Sequence, residues 1–147
     1  MNRRTILAAT LALTVSTASA FAQDKPKATL YRNPNCSCCL DYAKYLRSNG
    51  FDVTVDSSSD LKSVRKQLGI PEKFEGCHVM TIGRYAVEGH VDAASINKLL
   101  AEHPDIRGIS IPGMPTGTPG MTGPKSGPLN VYEIGSDSGP AKVFSTE

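Results

Sequence analysis

The sequence lacks an excess of charge of either sign, and it holds only one long apolar run. Across 147 residues, 16 Lys and Arg face 14 Asp and Glu. This balance does not favour nucleic-acid binding or a basic membrane footprint. The apolar run, residues 6–15, is about half the ~20 residues that a spanning helix needs. The sequence has no second apolar run, so no membrane span is predicted in the mature chain. No internal repeat is visible.

The first 22 residues have the pattern of a bacterial secretory signal peptide. Arg3 and Arg4 precede the apolar run, and small residues then fit Ala-x-Ala twice, at 18–20 and 20–22. We predict cleavage after Ala22, which also removes the two excess positive charges. The expected mature protein is periplasmic and consists of residues 23–147, enough for a single packed domain.

Cysteine is scarce but crowded. Three of the four cysteines lie in Cys36-Ser37-Cys38-Cys39, and the fourth, Cys77, precedes His78. An oxidising compartment favours disulfides, and a bond between Cys36 and Cys39 is easy, whereas bonds between closer neighbours are strained. Pairing of Cys38 or Cys39 with Cys77 stays open. The spacing favours a metal or redox site over two static disulfides.

Periodicity and turn residues predict the order of elements. They predict a strand at 28–31, a helix from the cysteines to Asn49-Gly50, a strand at 51–56, a helix between Asp60 and Gly69, a hairpin of 79–82 with 85–90, and a helix between Asp92 and Pro104. Residues 108–140 hold 8 of the 13 glycines and 6 of the 10 prolines, which predicts a loop-rich segment. A last hairpin is expected at about 129–134 and 141–144.

A strand that leads into a helix with Cys-x-x-Cys in its first turn is typical of the thioredoxin-like arrangement. The predicted fold is an α/β three-layer sandwich, with a small central mixed sheet flanked by helices and a Gly/Pro-rich C-terminal extension. In that layout Cys77 meets Cys36, Cys38 and Cys39. The helix N-terminus is expected to lower the pKa values of Cys36 and Cys38.

Four converging thiolates allow three functions. Zinc suits a four-sulfur site, but the adjacent Cys38 and Cys39 seldom reach one tetrahedral metal together. Cu(I) is soft and tolerates bridging thiolates, so a small copper cluster uses these ligands better. A thiol-disulfide oxidoreductase with Cys36 and Cys39 as the redox pair is a second hypothesis, and a structural zinc module is a third.

Several stretches together resemble the periplasmic copper-resistance family called CopG. They are residues 30–39, Cys77-His78, residues 88–91, and the glycine- and proline-rich segments 112–115 and 119–121. The resemblance implies a thioredoxin-like fold, a Cu(I) cluster on Cys36, Cys38, Cys39 and Cys77, and a role in copper resistance and homeostasis. Copper or thiol oxidoreductase activity is a further implication. The expected partners are copper ions and other periplasmic copper carriers or efflux components.

Other candidate ligands are histidines and methionines. His78 adjoins Cys77 and is predicted to take part in the site as a ligand or proton donor, with a neutral histidine hydrogen-bonded to the backbone as the alternative. Met114 and Met121 are soft thioethers in the loop-rich segment and are candidates for a transient copper site or for packing. His90, near the far end of the predicted hairpin, is expected to be a structural, hydrogen-bonded residue. Arg65 is assigned to the solvent face of its helix.

Overall fold

The structure is a computed structural model, and it describes residues 26–135 and 139–147. The predicted signal peptide, residues 1–22, lies outside these residues. In chain order the elements are β1 (Lys27–Arg32), α1 (Ser37–Ser48), β2 (Asp52–Asp56), α2 (Leu61–Leu68), a short 3-10 helix (Glu72–Phe74), β3 (His78–Ile82), β4 (Tyr85–Glu88), α3 (Ala93–Glu102), β5 (Gly108–Ser110), β6 (Asn130–Ile134) and β7 (Val143–Thr146).

The described strands form one mixed sheet of seven strands in the order β2-β1-β3-β4-β5-β6-β7. β1 runs parallel to β2 and β4 parallel to β5, while the other neighbours are antiparallel. Arg32 at the end of β1 pairs with His78 at the start of β3. Val79 pairs with Glu88 at the end of β4. These registers bring three strand ends together.

Helices cover both faces of the sheet. Successive residues of β3 alternate between two cores, because side chains along a strand point to opposite faces. Val79 packs in the core that contains α2, and Met80 packs in the core that contains α1 and α3. The buried residues of α1 recur at helical spacing: Cys39, Tyr42, Ala43 and Leu46. Burial of this stripe fixes the orientation of the helix that carries the cysteines.

The ends of α2 and α3 follow local signals, and the predictions made from those signals are confirmed. The carboxylates of Asp60 and Asp92 accept hydrogen bonds from the backbone N–H of Ser63 and Ser95. Gly69 ends α2 in the left-handed conformation, with φ 65°. In the described part of the chain, no helix combines the length and apolar character needed to cross a membrane.

The sheet is larger than the small one predicted, because residues after 107 add three strands. The predicted last hairpin corresponds to β6 and β7, but β5 was not predicted. Gly108 pairs with Ala86, and a Cβ at position 108 would collide with the Ala86 carbonyl. Only glycine therefore allows β5 to approach β4 here.

Candidate metal centre

Three cysteines lie at the start of α1. Cys36 is the residue before the helix, and Cys38 and Cys39 belong to its first turn. No side chain caps this helix start. Instead, Nη1 of Arg32 donates hydrogen bonds of 2.9 Å to the carbonyl oxygens of Asn33, Pro34 and Cys36. The Arg32 guanidinium thus holds the loop that delivers the first sulfur.

Cys77 approaches these three cysteines from β3. It stands directly before His78, which pairs with the end of β1, so the strand register explains the convergence. Its Sγ lies 3.6 Å from Sγ of Cys39. The distances to Cys38 and Cys36 are 3.8 and 3.9 Å, and the four sulfurs all lie within 4.8 Å of one another. One metal ion or a small cluster could contact all four.

Two of the four sulfurs are bonded to each other. Cys36 and Cys39 form a disulfide with a Cα–Cα distance of 5.5 Å, whereas Cys38 and Cys77 are free thiols. This is the pairing that local geometry made easy, among the alternatives that the sequence left open. A metal that used all four sulfurs as thiolates would require prior two-electron reduction of this bond.

The Cys77 thiol is half-buried. Burial, with the neighbouring Cys38 as a further cause, raises the pKa of the Cys77 thiol to about 12. At neutral pH the thiol therefore carries its proton. A metal that binds Cys77 has to displace that proton, so binding is coupled to proton release.

His90 belongs to the same centre. Its Nε2 lies 3.0 Å from Sγ of Cys77, and its Nδ1 lies 2.6 Å from the carbonyl oxygen of Pro119. A carbonyl can only accept, so Nδ1 carries the hydrogen and the lone pair of Nε2 faces Cys77. Burial lowers the pKa of His90, which favours this neutral ring. The hydrogen bond fits a structural histidine, but the expectation of a place away from the cysteines is wrong.

The position of His90 could have been found from the hairpin itself. In an antiparallel pair, the end of the second strand returns to the beginning of the first. Because Val79 pairs with Glu88, the residues after Glu88 lie beside those before Val79. His90, at the end of the hairpin in the sequence, is therefore close in space to Cys77, which stands at its beginning.

His78 also lies beside Cys77, with its ring centroid 4.8 Å from that of His90, and it is fully buried. Its Nδ1 is 3.3 Å from Sγ of Cys77, and its Nε2 has no hydrogen-bond partner among the described residues. Burial, followed by the nearby His90, lowers the pKa of His78 to about 3, so the ring is neutral. Cys77, His78 and His90 form a second group whose ligand atoms lie within 4.8 Å.

A cleft of roughly 540 Å³ opens over the sulfurs, and Met114 contributes to its wall together with Cys36, Cys38 and Cys77. Met114 is 52% exposed, so its thioether is accessible. Met121 is not among the residues that line this cleft. The two predicted methionines therefore occupy different environments.

The loop-rich segment packs directly on α1. A Cβ at Gly120 would lie 2.6 Å from the backbone nitrogen of Tyr42 and 3.0 Å from the carbonyl oxygen of Cys38. The adjacent Pro119 holds His90. The C-terminal part of the chain therefore forms one side of the centre. His103, in contrast, is exposed at the end of α3, with φ 49°, and takes no part.

Arg65 was predicted to lie on the solvent face of α2, but it is buried. Its guanidinium binds the carboxylate of Glu88, which is also buried. A charged residue within a charged sequence stretch indicated a surface position, and its partner lies 23 residues away. Sequence reasoning therefore missed this ion pair, which lies next to Cys77.

Comparisons with known proteins give a consistent picture. A family model described as "Protein of unknown function, DUF411" matches residues 74–121. Two solved structures, "Copper resistance protein copG- Form 2" and "Copper resistance protein copG- Form 1", are each 39% identical to this chain, with TM-scores of 0.76 and 0.75. No curated protein matches the chain.

Each of these two matches covers 84% of this chain and 98% of the similar chain. The similarity therefore extends over both parts that build the centre, the cysteine motif and the loop-rich segment. On the strength of that identity and coverage, the chain belongs to the CopG family of copper resistance proteins.

Proposed function

We propose that this chain is a periplasmic copper-binding protein for copper resistance and homeostasis. In its reduced form, several Cu(I) ions are held as a thiolate cluster by Cys36, Cys38, Cys39 and Cys77. The observation that carries the proposal is the approach of all four sulfurs to within 4.8 Å. The copper resistance proteins with similar structures support the same metal.

The donor set fits Cu(I) better than a single harder ion. Thiolates are soft ligands and bridge Cu(I) readily, and the adjacent Cys38 and Cys39 can then serve different copper ions. Met114 at the cleft supplies a thioether, another soft donor. His78 and His90 supply neutral imidazole nitrogens beside Cys77. Imidazole also suits Cu(II), so the centre offers donors for both oxidation states.

The disulfide connects metal binding with redox chemistry. Conversion of the Cys36–Cys39 bond to two thiolates takes up two electrons. Oxidation of two Cu(I) ions to Cu(II) releases two electrons, so the two half-reactions balance. Copper or thiol oxidoreductase activity is therefore part of the proposal. A periplasmic dithiol would serve equally as the reductant.

The fold of residues 27–102 supports a thioredoxin-like assignment. The strands β2-β1-β3-β4 form a mixed sheet, α1 and α3 pack in one core and α2 in the other, and the cysteines lie where the first strand leads into the first helix. We propose that residues 1–22 direct export and that residues 23–147 form the mature domain. Its partners would be periplasmic copper carriers or efflux components.

The test is copper titration of the reduced protein under anaerobic conditions. We expect more than one Cu(I) per chain, and we expect Cys38→Ser to lower the stoichiometry. Ser37→Ala is the matched control, since Ser37 is exposed within the same turn and should leave copper binding unchanged. Binding of at most one copper, unaffected by Cys38→Ser, would contradict the proposal. Stoichiometric zinc that resists copper exchange would instead favour a structural zinc module.

A general thiol-disulfide oxidoreductase is the second candidate, because a disulfide already joins Cys36 to Cys39 at the start of α1. This function predicts that the reduced, metal-free protein catalyses reduction of insulin with a dithiol as electron source. Loss of that activity in Cys36→Ser, without loss in Ser37→Ala, would support it. Absence of turnover in the wild type would remove this candidate and leave copper binding intact.

A further inference from the structure

A buried ion pair stands beside the fourth sulfur. Nη2 of Arg65 lies 2.6 Å from Oε1 of Glu88, and Nε lies 3.2 Å from Oε2, so the pair makes two parallel contacts. The Arg65 side chain is 10% exposed and the Glu88 side chain is completely buried. Both side chains are therefore fixed, and screening by solvent is weak.

The same two side chains hold the backbone of Gly76. Its N–H donates to Oε1 of Glu88 at 2.8 Å, and its carbonyl accepts from Nη2 of Arg65 at 2.9 Å. Both polar backbone groups of this residue are thus bound by the ion pair. Gly76 immediately precedes Cys77, so its position determines where Cys77 Sγ lies.

The neighbouring backbone leaves little room for another arrangement. A Cβ on Gly76 would lie 2.8 Å from the Cα of Gly89 and 3.3 Å from the carbonyl oxygen of Gly113. Gly76 forms only an isolated bridge with Gly113, and β3 begins two residues later. Regular strand pairing therefore does not hold this segment in place. The hydrogen bonds from the ion pair to Gly76 hold it instead.

A requirement for stability alone does not account for such a pair. Removal of two charges from water is costly, and apolar residues of similar volume often stabilise a protein equally well. The geometry that the pair imposes is its distinctive effect. Cys77 Sγ lies 3.6 to 3.9 Å from three other sulfurs, and a shift of about 1 Å is enough to loosen a preorganised site.

We propose that Arg65 and Glu88 are positioning residues for Cys77. By binding both backbone groups of Gly76, they hold the fourth sulfur at the distance that a metal cluster on the α1 cysteines requires. This inference rests on the proposed copper function and extends it to two residues that contact no sulfur through their charged groups. Arg65 also lines the cleft over Cys36 and Cys38, so its side chain borders the centre directly.

The decisive variant is the double substitution Arg65→Met with Glu88→Leu. A single substitution would leave an unpaired buried charge and could prevent folding, whereas the double variant removes both charges and keeps most of the volume. We expect it to fold and to lose about 10- to 100-fold in Cu(I) affinity, the usual effect of residues that orient metal ligands. The thiolate-to-copper absorption should change as well.

Two further variants separate geometry from general effects. Asp41→Asn with Lys44→Gln removes an exposed ion pair on α1 and should leave Cu(I) affinity unchanged. Arg65→Lys keeps the positive charge but not the planar two-point contact, and we expect an intermediate loss of affinity. A folded double variant with wild-type affinity and absorption would overturn the inference.

A copper-independent measurement keeps this inference separate from the proposed function. In the metal-free protein, the amide of Gly113, whose N–H donates to the Glu75 carbonyl beside Gly76, should exchange its hydrogen at least about tenfold faster in the double variant, while Met80 in the middle of β3 is unaffected. Unchanged exchange at Gly113 would overturn the positioning role. A wild-type protein that binds at most one copper would refute the copper function, and the exchange result would still decide the role of the pair.

Discussion

The imidazole of His90 and the thiol of Cys77, which are 13 positions apart in the sequence, face each other at 3.0 Å. The ring is oriented from behind by the Pro119 carbonyl, so its unprotonated nitrogen points at sulfur. Three segments of the chain thus meet around the His90 ring: the start of β3, the residue pair after β4, and the loop-rich segment. The proposed copper centre should therefore respond to changes in each segment.

Substitution of His90 by Asn should weaken copper binding. The variant loses the nitrogen that faces Cys77, and loss of a group that orients or supplements a ligand usually lowers metal affinity about 10- to 100-fold. Competition with a chromogenic Cu(I) chelator measures the change. His103→Asn is the matched control, because His103 is exposed at a helix end in the left-handed conformation that asparagine tolerates. Equal affinities in the two variants would contradict a role for His90.

The two methionines should differ. Met114→Leu removes the thioether from the cleft wall, and because leucine has a similar volume, stability should hardly change. We expect Cu(I) affinity to fall by about tenfold, or ~1.4 kcal/mol. Met121→Leu is the control, since Met121 does not line the cleft, and it should have a smaller effect. A larger loss in Met121→Leu would show that the cleft does not mark the path or site of the metal.

Gly120→Ala should destabilise the protein more than Gly113→Ala. Both glycines have positive φ, 81° and 74°, and alanine in this conformation costs about 1–2 kcal/mol. At Gly120 the new methyl group would also clash with the backbone of α1, whereas at Gly113 it meets no atom within 4 Å. Urea unfolding measures the difference. Equal losses of unfolding free energy would mean that the loop can move away from α1 at little energetic cost, and that its contact with α1 is weak.

Stability should depend on the charge of Asp56 in acid. The backbone N–H of Ser58, then the hydroxyls of Ser59 and Ser58, donate to this carboxylate and lower its pKa from 3.8 to about 2. Below the ordinary value the unfolded chain binds a proton first. This contribution to stability is therefore complete above pH 3.8 and is lost as pH falls towards 2.

Asp56→Asn provides the test of that dependence. The amide does not titrate, so the acid limb of a plot of unfolding free energy against pH should become shallower between about 4 and 2. Denaturant unfolding at several pH values measures it. An unchanged slope would mean that the hydrogen bonds of Ser58 and Ser59 persist equally in the unfolded chain.

Local chemistry explains why most elements were predictable. Asp60 directly precedes α2 and Gly69 directly follows it, and Asp92 directly precedes α3. The meeting of Cys77 with the α1 cysteines followed from the order of strands and helices. It needed no knowledge of individual side-chain contacts.

Residues that depend on long-range register were harder to predict. His90 reaches Cys77 only because of how β3 pairs with β4, and Arg65 is buried only because Glu88 lies opposite it. A three-residue strand such as β5 is too short to show an alternating pattern. Its place in the sheet depends on a close approach at Gly108 that the sequence alone does not display.

The uneven spacing of the four sulfurs has a kinetic consequence during folding. Cys36 and Cys39 are three residues apart, whereas Cys77 is 38 to 41 residues from the others, and closure of the longer loop has the greater entropy cost. A chain that meets an oxidant before it folds will therefore join Cys36 to Cys39 before either of them pairs with Cys77. Cys77 is then still a thiol when β3 packs beside β1, and an incorrect long-range disulfide is avoided.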